Sequence, residues 1–128
     1  MHGLHLTADL YHCRGAGHWL TDAHALVLAC EEAVRACGLQ AVARLSHQFP
    51  NTPEGPGGVT ATVLLAESHL CVHTWPERAG VTLDVYVCNY GQDHSAQAQA
   101  LMNRLLALFD ATTVQRHALT RGQTPEPL

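Results

Sequence analysis

Apolar and polar residues alternate along LHLTADLY, residues 4–11, with Leu4, Leu6, Ala8 and Leu10 on one face. That two-residue period predicts a strand. HCRGAGHWL has no period and two glycines, so it reads as a loop. Thr21 or Asp22 can then cap a helix running to Cys37, with Leu26, Cys30, Ala33 and Cys37 on one stripe and Gly38 as its stop. Residues 40–48 predict a second, weaker strand. Phe49 to Gly58, FPNTPEGPGG, is a loop restricted by its prolines and glycines. VTATVLLAESHLCVHTW reads as a strand, single or broken near Glu67. PERAG is a turn, VTLDVYVCN is the clearest strand of the chain, and NYGQDH is another turn. A helix over about 94–109 places Leu101, Leu105 and Leu108 inward. TTVQRHALT predicts the last strand, and the tail RGQTPEPL is expected to fray.

The order β-α-β-β-β-α-β, with no solenoid repeat, predicts one α+β domain. The expected architecture is a two-layer α/β sandwich, a mostly antiparallel sheet carrying two helices on one face. The sheet's other face then needs cover, and a second copy of the chain supplies it most economically.

Composition narrows the function. With 128 residues and 47% hydrophobic content the chain can build its own core. Five cysteines, an odd number without a CxxC spacing, fit a reducing compartment better than a disulfide framework. The opening residues lack the basic flank and apolar run of a secretory signal, so a cytoplasmic location is expected. No apolar run approaches the roughly 18 residues of a membrane helix. A net charge of -4 without a basic patch argues against nucleic acid as a partner. All seven basic Lys/Arg side chains are arginines. Without lysine, amine chemistry through a lysine-held Schiff base is closed, so any carbonyl must come from elsewhere.

The stretch LLAESHLCVHTWPE, residues 64–77, concentrates reactive residues in a run that otherwise reads as a buried strand. On a regular strand His69, Cys71, His73 and Trp75 share one face, while Ser68, Leu70, Val72 and Thr74 share the other. Zinc on His69, Cys71 and His73 is one reading, but neighbours two apart on a strand stand about 7 Å apart and no further ligand pair follows. Half-exposed strand histidines without chemistry are a second reading. A thiol–imidazole pair of Cys88 with His73 is a third, although cysteines among apolar residues are more often packing.

A fourth reading rests on three segments: Ala66-Glu67-Ser68-His69, His73-Thr74-Trp75-Pro76-Glu77, and Cys88 in the following strand. Together with DLYHC at 9–13 and the HQF-loop-GVT region at 47–60, they resemble the prokaryotic-type S-adenosylmethionine decarboxylases, over residues 4–122. The resemblance implies a proenzyme that cuts itself between Glu67 and Ser68, giving chains 1–67 and 68–128. Ser68 then becomes a pyruvoyl group, the covalent cofactor that stands in for lysine chemistry. It implies His73 as the proton acceptor of processing and Thr60 as a hydroxyl that assists it. Cys88 is implied as the catalytic proton donor, and Phe49, Leu70, Trp75 and Glu77 as the substrate-binding set. No metal is implied. The expected substrate is S-adenosylmethionine, the product an aminopropyl donor for spermidine and other polyamines, and the working form a homodimer with sites at its interface.

The chain departs from that pattern away from Ser68, His73 and Cys88. Arg78 stands where an aromatic residue is usual, and the 50–58 loop is longer and richer in proline and glycine. An added arginine can grip a carboxylate. A pyruvoyl-dependent arginine or ornithine decarboxylase is therefore one alternative, and a non-catalytic relative is another. The geometry poses one problem. Ser68 and His73 lie on opposite strand faces, so they meet only if the chain bends near 67–69 or if two subunits meet.

Overall fold

A computed structural model of the chain describes residues 2–123. Six strands form one sheet: β1 Gly3–Tyr11, β2 Ala41–Gln48, β3 Val59–Leu65, β4 Ser68–Trp75, β5 Gly80–Cys88 and β6 Thr113–Arg121. Their order across the sheet is β2-β3-β4-β5-β1-β6, and every neighbouring pair is antiparallel. Helices α1, Ala23–Ala36, and α2, Ser95–Phe109, complete the α+β sandwich. No helix of the described residues is long and apolar enough to cross a membrane.

The alternation in sequence sets the two sheet faces. Leu6, Ala8, Leu10, Val59, Ala61, Val63, Leu70, Val72, Leu83 and Val85 point one way and are buried. The helices cover them with Leu26, Val34, Leu101, Met102 and Phe109, all essentially without solvent exposure. Each such side chain contributes roughly 1.5–3 kcal/mol by leaving water. The α1 stripe is Leu26, Cys30 and Ala33, with Cys37 only partly buried. On α2 the stripe is Ala98, Leu101, Met102, Leu105 and Phe109, which leaves Leu108 at its margin.

Local signals end the elements where the chain says they should. Asp22 is the cap of α1, its side chain accepting from the Ala25 N–H at 3.0 Å. Gly38 takes φ 78° just after the helix, a conformation that other residues adopt only with strain. The long central run is two strands rather than one, because Ala66 and Glu67 form a two-residue turn between paired Leu65 and Ser68. The observed order is thus β-α-β-β-β-β-α-β. PERAG holds a 3-10 turn, Pro76–Arg78, and a second one, Gly17–Leu20, lies inside the expected HCRGAGHWL loop. The expected fraying of the tail falls, for residues 124–128, outside the described residues.

Among the described residues, the second face of the sheet carries no helix. Register places Thr60, Thr62, His69, Cys71, His73, Thr82, Asp84, Tyr86 and Cys88 on it, with His5 and Thr7 from β1. Leu45, Leu64 and Leu119 extend the same face and are 72%, 47% and 53% exposed.

Candidate active site

The reactive residues fall into two groups at opposite ends of β4. At the first end is the turn before Ser68. Glu67 has φ 54°, the left-handed region that disfavours a residue with a side chain. Ala66 precedes it with negative φ, so Glu67 takes the turn position that glycine normally fills. The strain is about 1–2 kcal/mol, and it sits at the residue that donates the carbonyl of the 67–68 peptide bond. Ser68 is half-buried, and its Oγ accepts a hydrogen bond from the Cys88 backbone N–H at 2.9 Å. Strand register thus carries Cys88 to the Ser68 end of the sheet.

At the second end are Thr60 and His73, directly opposed in register. Thr60 Oγ1 lies 2.9 Å from His73 Nδ1, and Cys71 Sγ lies 3.5 Å from His73 Nε2. Burial, with a contribution from the Asp84 charge, raises the Cys71 thiol above its ordinary pKa. A thiol that keeps its proton can donate to Nε2, which leaves Nδ1–H to donate to Thr60 Oγ1. The imidazole's orientation is thereby set from both sides.

Beside this pair lies a cavity of about 580 Å³, walled by Phe49, Thr60, His73, Trp75, Glu77 and the 50–58 loop. Phe49 and Trp75 are 47% and 40% exposed, so their rings are available to a ligand rather than spent on the core. The loop is held by Gln48. Its Oε1 accepts from the Ala23 N–H at 2.9 Å, and its Nε2 donates to the carbonyls of Gly57 and Gly58 at 3.3 and 3.2 Å. Those glycines let backbone pack on backbone: a Cβ at Gly57 would strike the Phe49 carbonyl, and one at Gly58 the Thr74 carbonyl. Thr74 braces the same corner from below, donating to the Leu20 carbonyl at 2.7 Å and accepting from the Val59 N–H at 2.8 Å.

Several sequence expectations land elsewhere. Leu70 is wholly buried beneath the helices and lines no part of this cavity. Arg78 is exposed in its 3-10 turn and also lies outside the cavity lining. Within one chain the Cys88–His73 pair does not form, because the two side chains belong to opposite ends of the sheet and the thiol beside His73 is Cys71. The zinc set His69, Cys71 and His73 does not converge, since His69 Nε2 turns to Asp84 at 3.0 Å. Ser68 and His73 remain apart within one chain. Five residues of strand separate them by about 17 Å, on opposite faces.

Some residues of this face are not evident from motif reading. Glu54, Thr52 and Pro50 line the cavity from the loop. Asp84 and His5 meet on the open face at 3.0 Å. The available signal for Asp84 is a charge inside the apolar run VTLDVYV, and for His5 an imidazole on the polar side of an alternating strand.

Comparison with known proteins follows the same outline. The family model described as S-adenosylmethionine decarboxylase matches residues 4–122. The S-adenosylmethionine decarboxylase proenzyme of Acidithiobacillus ferrooxidans is 35% identical over 121 residues, covering 94% of this chain and 83% of that protein. The proenzyme of Parasynechococcus marenigrum is 36% identical over 127 residues, covering 98% and 88%. The crystal structure of the adenosylmethionine decarboxylase from Aquifex aeolicus superposes with a TM-score of 0.79 at 30% identity, over 98% of this chain and 95% of that one.

Proposed function

This chain belongs to the S-adenosylmethionine decarboxylase family, and from that premise we propose that it is a proenzyme which cuts itself at Glu67–Ser68 and then decarboxylates S-adenosylmethionine. The product would be an aminopropyl donor for polyamine synthesis. The observation that carries the reading is the turn itself: a left-handed, non-glycine Glu67 directly before a serine whose hydroxyl is held by the Cys88 N–H.

In the first step the Ser68 Oγ attacks the Glu67 carbonyl carbon, and the 67–68 amide becomes an ester as the C–N bond breaks. Strain at Glu67 is relieved as the bond breaks, which lowers that barrier. A base then takes the Ser68 Cα proton, the Cβ–Oγ bond breaks, and the first chain leaves with a Glu67 carboxylate. Water replaces the nitrogen of the remaining dehydroalanine, ammonia departs, and a pyruvoyl group begins the second chain. The residues fit such a group. Ser68 follows the turn directly, is half-buried rather than sealed, and has a backbone donor beside it. A pyruvoyl carbonyl supplies the electron sink that lysine-bound cofactors supply elsewhere.

The roles of the remaining residues follow from their chemistry. His73, oriented by Thr60 and Cys71, is the base of processing, and Thr60 is a hydroxyl partner for the shift. The Cys88 thiol, an S–H donor, returns a proton to the substrate carbon after carbon dioxide leaves. Phe49 and Trp75 offer faces for a purine, and Glu77 a carboxylate for ribose hydroxyls. The distance between the two ends of β4 supports a homodimer in which the Thr60–His73 end and pocket of one copy meet the Ser68–Cys88 end of the other. The open sheet face, with its exposed leucines, is the surface for that pairing.

Intact mass of the denatured protein tests the processing, and carbon dioxide release from S-adenosylmethionine, arginine and ornithine tests the substrate. Two chains, 1–67 and 68–128 with a pyruvoyl terminus, and release from S-adenosylmethionine alone are expected. Ser68→Ala should leave one chain with no turnover. An uncut wild-type chain after prolonged incubation would overturn the reading.

A further inference from the structure

The 50–58 loop brings a charge to the cavity beside Phe49 and Trp75 that the roles above do not use. Glu54 lines that cavity from the loop, and Glu77 lines it from the turn after β4. No arginine lines it, so the fixed charge of the wall is negative. Among the described residues neither carboxylate has an ion-pair partner to neutralise it.

Glu54 is not carried on a loose segment. The Thr52 N–H donates to the Gly55 carbonyl at 2.8 Å, and the Gly55 N–H donates back to the Thr52 carbonyl at 3.0 Å. Pro53 and Glu54 are therefore the central pair of a closed turn, and the proline ring fixes the backbone just before Glu54. Gly55 closes the turn at φ 138°, a conformation that glycine alone adopts freely. At the base of the loop the Phe49 N–H donates to the Gly58 carbonyl at 3.0 Å, and the Gly57 N–H donates to Asn51 Oδ1 at 3.3 Å. Only the Glu54 side chain is left to search, so its charge is kept at the cavity at small entropic cost.

We propose that Glu54 is a specificity-determining residue that reads the positive charge of the substrate's sulfonium. The proposal rests on the decarboxylase reading above and follows from assigning the parts of S-adenosylmethionine. The amine is consumed in the bond to the pyruvoyl carbonyl, at the Ser68 end. The carboxylate leaves as carbon dioxide. The purine takes the faces of Phe49 and Trp75, and the ribose hydroxyls take Glu77. The sulfonium remains, bonded directly to the nucleoside's 5′ carbon, and Glu54 is the carboxylate of the wall still without a partner. A sulfonium has no N–H or O–H to donate, so it is recognised by charge and by aromatic faces rather than by hydrogen bonds. The matching thioether has nearly the same shape and no charge. A carboxylate separates the two where shape cannot.

The test is calorimetry of the purified protein with 5′-methylthioadenosine and with its S-methyl sulfonium. Neither carries an amino-acid part, so neither reacts with a pyruvoyl group. Wild type should bind the sulfonium more tightly. Glu54→Gln should cut that preference by about three- to tenfold, the scale of one charge pair across a partly solvated site, and leave the thioether nearly unchanged. Glu54→Asp should keep most of the preference, and high salt should shrink it in wild type. Glu32→Gln, the same loss of charge at an exposed position on α1, should leave the ratio alone. A Glu54 that merely held the loop in place would weaken both nucleosides together. An equal loss for both, a ratio indifferent to Glu54→Gln, or tighter binding of agmatine, a cation without a nucleoside, would therefore overturn the proposal. Intact mass and carbon dioxide release on the same preparations keep two failures apart. A cut, active enzyme whose ratio ignores Glu54 removes this proposal alone; an uncut, inactive wild-type chain removes the decarboxylase reading and this proposal with it.

Discussion

Glu67 and Ser68 hold the most consequential two residues of backbone in the chain. The sequence motif names the pair, but the positive φ at Glu67 is not legible in it, because glutamate gives no conformational signal of that kind. The strain should be measurable. In a Ser68→Ala background that cannot cut itself, Glu67→Gly should stabilise the chain by about 0.5–1 kcal/mol, as glycine relieves the left-handed penalty while loosening the unfolded chain. Chemical denaturation of the two proteins checks this. With Ser68 in place, the same change should slow the proposed self-cleavage. Asp84 shows the opposite limit of motif reading. Nothing marks it until three strands are placed side by side, because its partners are 79 and 15 residues away in sequence.

Elements are written in the sequence more plainly than sites. The alternation of β1 and β5, the Asp22 cap and the glycine after α1 are local signals, and local signals decide where short strands and helices begin and end. The split of the 59–75 run at Ala66-Glu67 is only weakly signalled, since neither residue is a usual turn former. Placement of elements is a long-range matter, and one ion-pair network shows what it adds. Glu31 of α1 is gripped by Arg44 from β2 and by Arg35 one turn along its own helix. The Arg44 hydrogen bond, with help from both charges, holds the Glu31 carboxyl below its ordinary pKa. A depressed carboxylate pKa adds stability above the unfolded value, and that stability is lost as pH falls through the folded one. Glu31→Gln should therefore lower the melting temperature near pH 7, with the gap to wild type closing in acid below the normal glutamate range. Melting curves across that range check the sign.

At the scale of the whole molecule, the two groups of candidate residues stand apart in one chain. Ser68 with Cys88, and Thr60 with His73 and the cavity, lie about five strand residues apart along β4. Mixed dimers separate this reading from a site built within one copy. When Ser68→Ala and His73→Ala proteins are co-expressed, each is inactive alone. Their heterodimer should contain one complete site, and only the His73→Ala chain should be cut. Mass spectrometry of the mixture reads this directly; no cleavage in either chain would count against shared sites. In sequence the proposed pairing is signalled only as a face without cover, because a strand's alternation says that one side is polar and nothing of what meets it. The strand order has a consequence of its own. A cut after residue 67 gives β1, β2 and β3 to one piece and β4, β5 and β6 to the other. Across the sheet, however, β1 lies between β5 and β6. The pieces are therefore woven through each other, and parting them means unzipping three antiparallel ladders. Once cut, the protein would hold its shape as a two-piece weave, yet its unfolding would become a dissociation and its refolding a bimolecular search. On the proposed cleavage, folding would have to come first and cutting second, and the knife would make the folded form a state the chain can enter easily only once.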